Sequence, residues 1–351
     1  MSLWLTQLQS PLSRAQFLAI LERLEADPAA AQSLRREARE ARDRYFGRRV
    51  YVRGLMEISN ICRRDCLYCG IRRSNKGVKR YRLDLESIKA CAARAYALGM
   101  RTFVLQGGED AYFTDERLVE IISYLRGTYP TCAITLSLGE RSRESYARLR
   151  QAGADRYLLR HESANPSHYA RLHPPESRLE TRLECLQDLK SLGYQVGCGG
   201  MVGSPHQTLE DLAWDLEFIQ NFRPHMVGWG PFLPHHATPY AQEEAGSLER
   251  TLNILALTRL LLPQVLLPAT TALATLSPQG RQLGLEAGCN VVMPNISPLE
   301  ERANYLLYDH KAYLNSEAGE GIATLAKELA SCGYQLDLGR GDSPLISNEE
   351  A

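Results

Sequence analysis

The chain has 351 residues, of which 44% are hydrophobic and 23% charged, with Lys plus Arg and Asp plus Glu both at 41. Those fractions exclude a disordered, collagen-like or low-complexity chain. The zero net charge lacks the basic surplus with which a protein grips nucleic acid through its phosphates.

The opening MSLWLTQLQSPLSRAQ has no positive start followed by a continuous apolar core, so no secretory signal is expected. The most apolar stretch, 252–276, is interrupted by Arg259, Pro263 and Pro268 before it reaches the ~20 residues of a membrane span. The reading is a cytoplasmic chain without membrane contact. Residues 1–48 predict a charged helical extension that caps one end of the main domain. Apolar runs then alternate in chain order: strand 50–59, helix 84–98, strand 101–106, helix 115–126, strand 132–138, helix 141–151 and strand 155–160. Helix 178–192, Gly-rich strand 195–202, helix 208–222, strand 225–230, helix 248–262, strand 265–273, helix 278–287 and strand 289–295 complete the series. Eight strands, each followed by helix or loop over roughly 250 residues, predict a (β/α)8 TIM barrel of the α/β class at 49–339, with a frayed tail at 340–351. An open dinucleotide-binding sheet would carry GxGxxG after its first strand. GCGGMVG at 197–203 has neither that spacing nor that position.

Six of the nine cysteines (Cys91, Cys132, Cys185, Cys198, Cys289, Cys332) are scattered and read as small buried hydrophobes. Cys62, Cys66 and Cys69 instead form CxxxCxxC directly after the first strand, at the C-terminal mouth where barrels of this kind carry their chemistry. A structural zinc site prefers four ligands. Three thiolates on a 4Fe–4S cube leave one iron open for a ligand, whereas electron-transfer clusters normally have four cysteines. Zinc, with a stray cysteine or His161 as fourth ligand, stays open as an alternative. Adjacent His235 and His236 read as mouth-lining residues, with no metal assigned.

CxxxCxxC with an aromatic, Tyr68, before the third cysteine resembles the radical S-adenosylmethionine (SAM) superfamily. The resemblance implies one 4Fe–4S cluster on Cys62, Cys66 and Cys69, with SAM chelated at the open iron and cleaved reductively to methionine and a 5′-deoxyadenosyl radical. It also implies SAM contacts. Gln106, Gly107, Gly108, Glu109 and Asp110 resemble the superfamily's GGE element, and Thr135 and Ser137 share one side of the third strand. Glu162 is placed for the ribose, Arg182 for the carboxylate, Met201 and Val202 for the adenine, and Arg160 joins the same set.

Longer strings, ISNICRRDCLYCGIRRSNKGVKRYR, VLQGGED, TLSLGE, AGADRYLLRHESANP, GPFLPH, PATTAL and NVVMPN, are similar over 53–295 to the HydE family of FeFe-hydrogenase maturases. That resemblance implies partners HydG and HydF, an unidentified electron donor, and an iron–carbonyl–cyanide–cysteine precursor of the diiron subcluster. Arg53, Arg160, Thr270 and Thr271 are the expected donors for such an anionic substrate, with Met293, Asn295, Tyr305 and Tyr308 closing the cavity. Some family members carry a second cysteine cluster near the C-terminus. Here 304–325 has no cysteine, so no second Fe–S cluster is expected. Three alternatives remain: a methylornithine-synthase-like mutase, a biotin-synthase-like sulfur-insertion enzyme, and a zinc-stabilised barrel scaffold without activity.

Overall fold

A computed structural model of the chain describes Trp4, Leu8 and residues 11–314 and 318–345. Helix α1 (Arg14–Ala26) begins in a Ser13/Gln16 capping box, and α2 (Pro28–Phe46) follows with Asp27 accepting from the Ala29 and Ala30 amides. Strands β1 (Arg49–Val52) and β2 (Gly54–Ser59) are two halves of one run. The units that follow are α3 (Leu85–Ala97), β3 (Thr102–Gly107), α4 (Asp115–Thr128), β4 (Ala133–Ser137), α5 (Arg143–Gln151) and β5 (Arg156–Leu158). Next come α6 (Pro166–Leu172), α7 (Leu179–Ser191), β6 (Gln195–Val202), α8 (Leu209–Phe222), β7 (Met226–Pro231) and α9 (Leu248–Leu261). The last are α10 (Thr271–Leu276), α11 (Gly280–Glu286), β8 (Val291–Val292), α12 (Leu299–Arg302), α13 (Ala318–Ser331) and β9 (Gln335–Asp337).

Strands β2 to β7 pair in chain order as one parallel sheet. The ring continues beyond β7 through single parallel bridges, Met226 to Leu266 and Pro268 to Val291. It returns to its start where β8 pairs with β1 and Asn295 bridges Leu55. The seventh strand is therefore shorter than 265–273: Pro268 has no N–H for the ladder, and from Thr271 the chain is helical. Because every strand runs the same way, the segments after Ser59, Gly107, Ser137, Leu158, Val202 and Pro231 share one face. Hydrophobic residues fill the interior and the helix-facing side, among them Met56, Ile58, Phe103, Leu105, Tyr157 and Trp229.

Two expectations change. The N-terminal helices do not cover an end of the barrel. They lie along its flank, where Arg14 pairs with Glu217 of α8, Gln220 bonds the backbone of Leu12, and Arg250 of α9 pairs with Glu25. Nor does the chain fray at residue 340. Strand β9 pairs with β1, and the segment after it closes the base of the barrel. There the Arg340 carbonyl accepts from Arg156 at 2.7 Å and Thr102 at 2.9 Å, while Asp342 accepts from Arg156 at 2.6 Å and Gln195 at 2.7 Å. Ser343 is 3% exposed. Residues 346–351 of the expected tail lie outside the described residues.

Candidate active site

The segment carrying the cysteines has almost no regular structure, so side chains fix its course. Arg80 donates to the carbonyls of Asn60, Ile71, Arg72 and Asn75, drawing the loop around one guanidinium. Asp65 accepts from Arg72 at 2.8 Å and from the Ser74 amide at 2.9 Å. Cys62 Sγ accepts from the Arg64 and Glu109 amides, each at 3.4 Å. Gly108 permits this approach: a β-carbon there would collide with the Ile61 carbonyl and sit 2.8 Å from Cys62 Cβ.

Burial raises the pKa of all three thiols, that of Cys66 to about 12. Thiolates in so poorly solvated a place need a cationic centre beside them. Three cysteines supply one ligand fewer than a closed structural zinc site takes. His161 is not that fourth ligand. It is fully buried, its Nδ1 accepts from the Gly199 amide at 3.2 Å, and its Nε2 lies 3.3 Å from Asp215.

An ionic chain runs from the loop into the mouth. Glu109 accepts from Arg63 at 3.0 Å and Arg64 at 2.6 Å, and Arg64 also pairs with Glu140. Glu140 then accepts from Arg182 Nε at 2.6 Å, and Arg182 Nη1 donates to the Arg160 carbonyl at 2.6 Å. Arg182 is thus a buried, oriented cation. Arg160 Nη2 faces Glu162 Oε2 at 3.0 Å, and Glu162 sits at φ +65, bridged to Gly200. Around these groups, Thr135 Oγ1, Arg160 Nε and Thr270 Oγ1 are buried without a hydrogen-bond partner among the described residues, and Glu162 Oε2 has only its ion pair with Arg160. An unmet buried polar group costs about 1–3 kcal/mol, so several together mark the seat of a polar ligand.

The remaining expected residues distribute unevenly. Gln106 and Tyr305 meet at 3.4 Å. Met201 packs with Leu172, Phe232 and Tyr68, whereas strand alternation sends the Val202 side chain into the main core, leaving only its backbone on the Met201 side. Thr271, Met293 and Asn295 line a separate cavity of about 230 Å³ walled also by Arg281, Lys311 and Leu325. Tyr308 is half-buried, within electrostatic reach of Glu57 and Arg160. Arg53 is corrected: it lies at the base, about 20 Å below Ser59 at ~3.3 Å per residue, and contacts Met226 Sδ and the Gly341 carbonyl. It does not join Arg160. The sequence pattern gave no role to Arg64 or Glu140, although Glu140 stands in the string TLSLGE, and it marked Glu109 only as part of the GGE element. It also missed the Glu57–Lys311 pair at 2.5 Å, which a run of apolar strand residues gave no reason to expect.

His235, His236 and Asp309 come close enough to suggest an ion. The Ala237 amide, however, donates to His235 Nδ1 at 3.1 Å, which puts the proton of the neutral ring on Nε2, facing Asp309. Asp309 also lies 2.9 Å from His236 Nδ1, so it works as a hydrogen-bonded clip between two loops. A metal-bound histidine would donate from its other nitrogen instead.

Comparison with known proteins agrees with this geometry. Residues 56–219 match the model of the radical SAM superfamily. The chain is 48% identical over 280 residues to the FeFe-hydrogenase maturase subunit HydE of Thermotoga maritima, covering 80% of each chain. It is 30% identical over 273 residues to 3-methylornithine synthase of Methanosarcina acetivorans, covering 76% of each. The crystal structure of methylornithine synthase superposes with a TM-score of 0.81 at 25% identity, covering 93% of this chain and 95% of that one.

Proposed function

The chain belongs to the radical SAM superfamily and, within it, to the HydE family of FeFe-hydrogenase maturases, and on that premise we propose how its own residues serve that activity. The observation that carries the reading is the set of unpartnered buried polar atoms on Thr135, Arg160 and Thr270 around the Arg160–Glu162 ion pair, in the mouth beside a three-cysteine loop. Cys62, Cys66 and Cys69 hold the single 4Fe–4S cluster, and Gly108 brings strand β3 against them. Glu162 takes the SAM ribose, and Arg182, oriented by Glu140, faces its carboxylate. When bound, cluster and SAM supply reductive cleavage of the sulfonium to methionine and a 5′-deoxyadenosyl radical. The electron donor that drives it is unidentified. Arg160 and Thr270 would bind an anionic iron–carbonyl–cyanide–cysteine precursor, the substrate, through their unmet donors.

The Glu57–Lys311 pair favours this substrate over the lysine of a methylornithine-synthase-like mutase. A cationic substrate needs a free carboxylate, and the buried Glu57 is already paired with Lys311 and accepts a hydrogen bond from Asn295. Among the described residues no helix is long and apolar enough to cross a membrane. We place the reaction in the cytoplasm, with HydG supplying and HydF receiving the iron species.

The test is a maturation assay. Anaerobically reconstituted protein, given dithionite and SAM, should release 5′-deoxyadenosine, and apo-hydrogenase supplied with HydF and HydG should gain activity when it is added. Cys66→Ala should abolish both. Release of 5′-deoxyadenosine with conversion of lysine to methylornithine, and no gain in hydrogenase activity, would overturn the substrate assignment.

A further inference from the structure

Tyr169, which no sequence motif singles out, carries a buried hydroxyl that nothing in the structure satisfies. It sits on α6, whose N-cap Asn165 accepts from the Ser167 amide at 3.0 Å. The end of the same helix is tied to the cysteine loop, since the Leu67 amide donates to the Leu172 carbonyl at 2.9 Å. The phenol ring is held on its face by His173, stacked at 3.9 Å with 20° between the planes. His173 Nδ1 lies 3.0 Å from the Tyr169 carbonyl, which can only accept, so that nitrogen carries the proton. Nε2 is then free to accept from the Tyr68 hydroxyl at 3.4 Å, and Tyr68 stands between Cys66 and Cys69. One neutral imidazole therefore fixes two phenols at the edge of the cluster loop.

Tyr68 has a partner; Tyr169 does not. Its residue is 1% exposed, and its hydroxyl has no hydrogen-bond partner. The charged groups that face it are Arg182, Glu140, Cys66 and Glu162, the groups already placed around SAM. Burial keeps the phenol protonated and hence a donor. A rigid buried donor among charged groups, with no acceptor of its own among the described residues, implies that a ligand brings the acceptor.

We infer that Tyr169 is a SAM-binding residue, its hydroxyl donating a hydrogen bond to an oxygen of bound SAM. This rests on the SAM site described above. The acceptor is in either the carboxylate or the ribose, the two parts of SAM that carry oxygen. The contact adds a fixed donor, delivered by α6, to the groups supplied by the strand ends.

Tyr169→Phe removes one oxygen and little else. In cluster-reconstituted protein the variant should bind SAM about tenfold more weakly by equilibrium dialysis, the loss of one buried hydrogen bond. The thermal midpoint of the SAM-free variant should be unchanged or higher, because an unsatisfied group has gone. Binding of 5′-methylthioadenosine, which keeps the ribose and lacks the carboxylate, then locates the acceptor: a parallel loss assigns it to the ribose, equal affinity to the carboxylate. Equal SAM affinity in wild type and variant overturns the inference, as does a loss accompanied by a lower SAM-free midpoint. Failure of the wild type to bind SAM would instead overturn the site itself.

Discussion

The two ends of the barrel treat buried charge in opposite ways. At the base, Arg156 is 3% exposed, yet it donates to Thr102, Gln195, Asp342 and the Arg340 carbonyl. At the mouth, Arg160 Nε, Thr135 Oγ1, Tyr169 OH and Thr270 Oγ1 have no hydrogen-bond partner among the described residues. A network complete within the chain stabilises the fold, while one left incomplete at several adjacent atoms awaits a ligand. Arg53 marks the boundary of this rule: it is at the base, its Nε has no partner, and its contacts are a thioether and a distant carbonyl. Asn290 Nδ2, at the start of β8, is unmet at the same end, so the difference between the ends is one of clustering: several unmet groups around one mouth against scattered ones below.

The sharpest way to break the comparison is to disturb the mouth without removing a ligand. Gly108→Ala would drive a β-carbon into the Ile61 carbonyl, and backbone, unlike a flexible side chain, cannot yield cheaply. The cysteines would remain but lose their spacing. Iron per chain after reconstitution should fall several-fold, with SAM cleavage lost in parallel. Full iron content with unchanged cleavage would show that β3 does not set the position of the loop.

The complementary disturbance is at the base. Arg156→Ala leaves Asp342 without its buried cation and strips Thr102 and Gln195 of a partner. Because Asp342 is partly exposed and keeps Arg340, the cost is that of the hydrogen bonds left unmet, about 1–3 kcal/mol. Urea unfolding should show that loss, while SAM affinity of the folded fraction stays at the wild-type value. Weakened SAM binding with intact stability would reverse the roles assigned to the two ends.

Legibility in the sequence divides along the same line. The repeating apolar periodicity revealed the strands and helices because burial on a regular element leaves a regular trace, and CxxxCxxC revealed the cluster loop because three thiolates in eight residues have few other uses. The base plug was illegible. Arg340 to Ser343 form no periodic element, and their polar side chains point inward, so composition alone reads them as a solvated tail. Arg53 misled for a related reason: a strand residue's height in the barrel depends on where the strand starts, which pattern reading places only to within a few residues. Tyr169 was hidden because an aromatic on a short helix looks like core until its hydroxyl is found without a partner. Glu140 and Arg64 were within reach, since an acid at a strand end and an arginine beside a ligand cysteine are positions where ionic chains form.

The smallest effect tests the plug through its titration. Burial alone would raise the Asp342 pKa, but the attraction of Arg156 and hydrogen bonds from Arg340, Gln195 and Arg156 outweigh it and hold the carboxyl well below its ordinary 3.8. A carboxyl whose folded pKa is depressed binds protons more readily when unfolded, so its stabilisation is complete above the ordinary value and fades as pH falls toward the folded one. Asp342→Asn, which keeps the shape and removes the charge, should therefore be less stable than wild type at neutral pH. The gap should hold down to about pH 5 and narrow below about pH 4, as wild type loses what the variant never had. Urea midpoints measured across that range decide the matter. A gap that stays constant to about pH 3 would mean that Asp342 acts through shape and hydrogen bonding alone, and that the base is held without help from its charge.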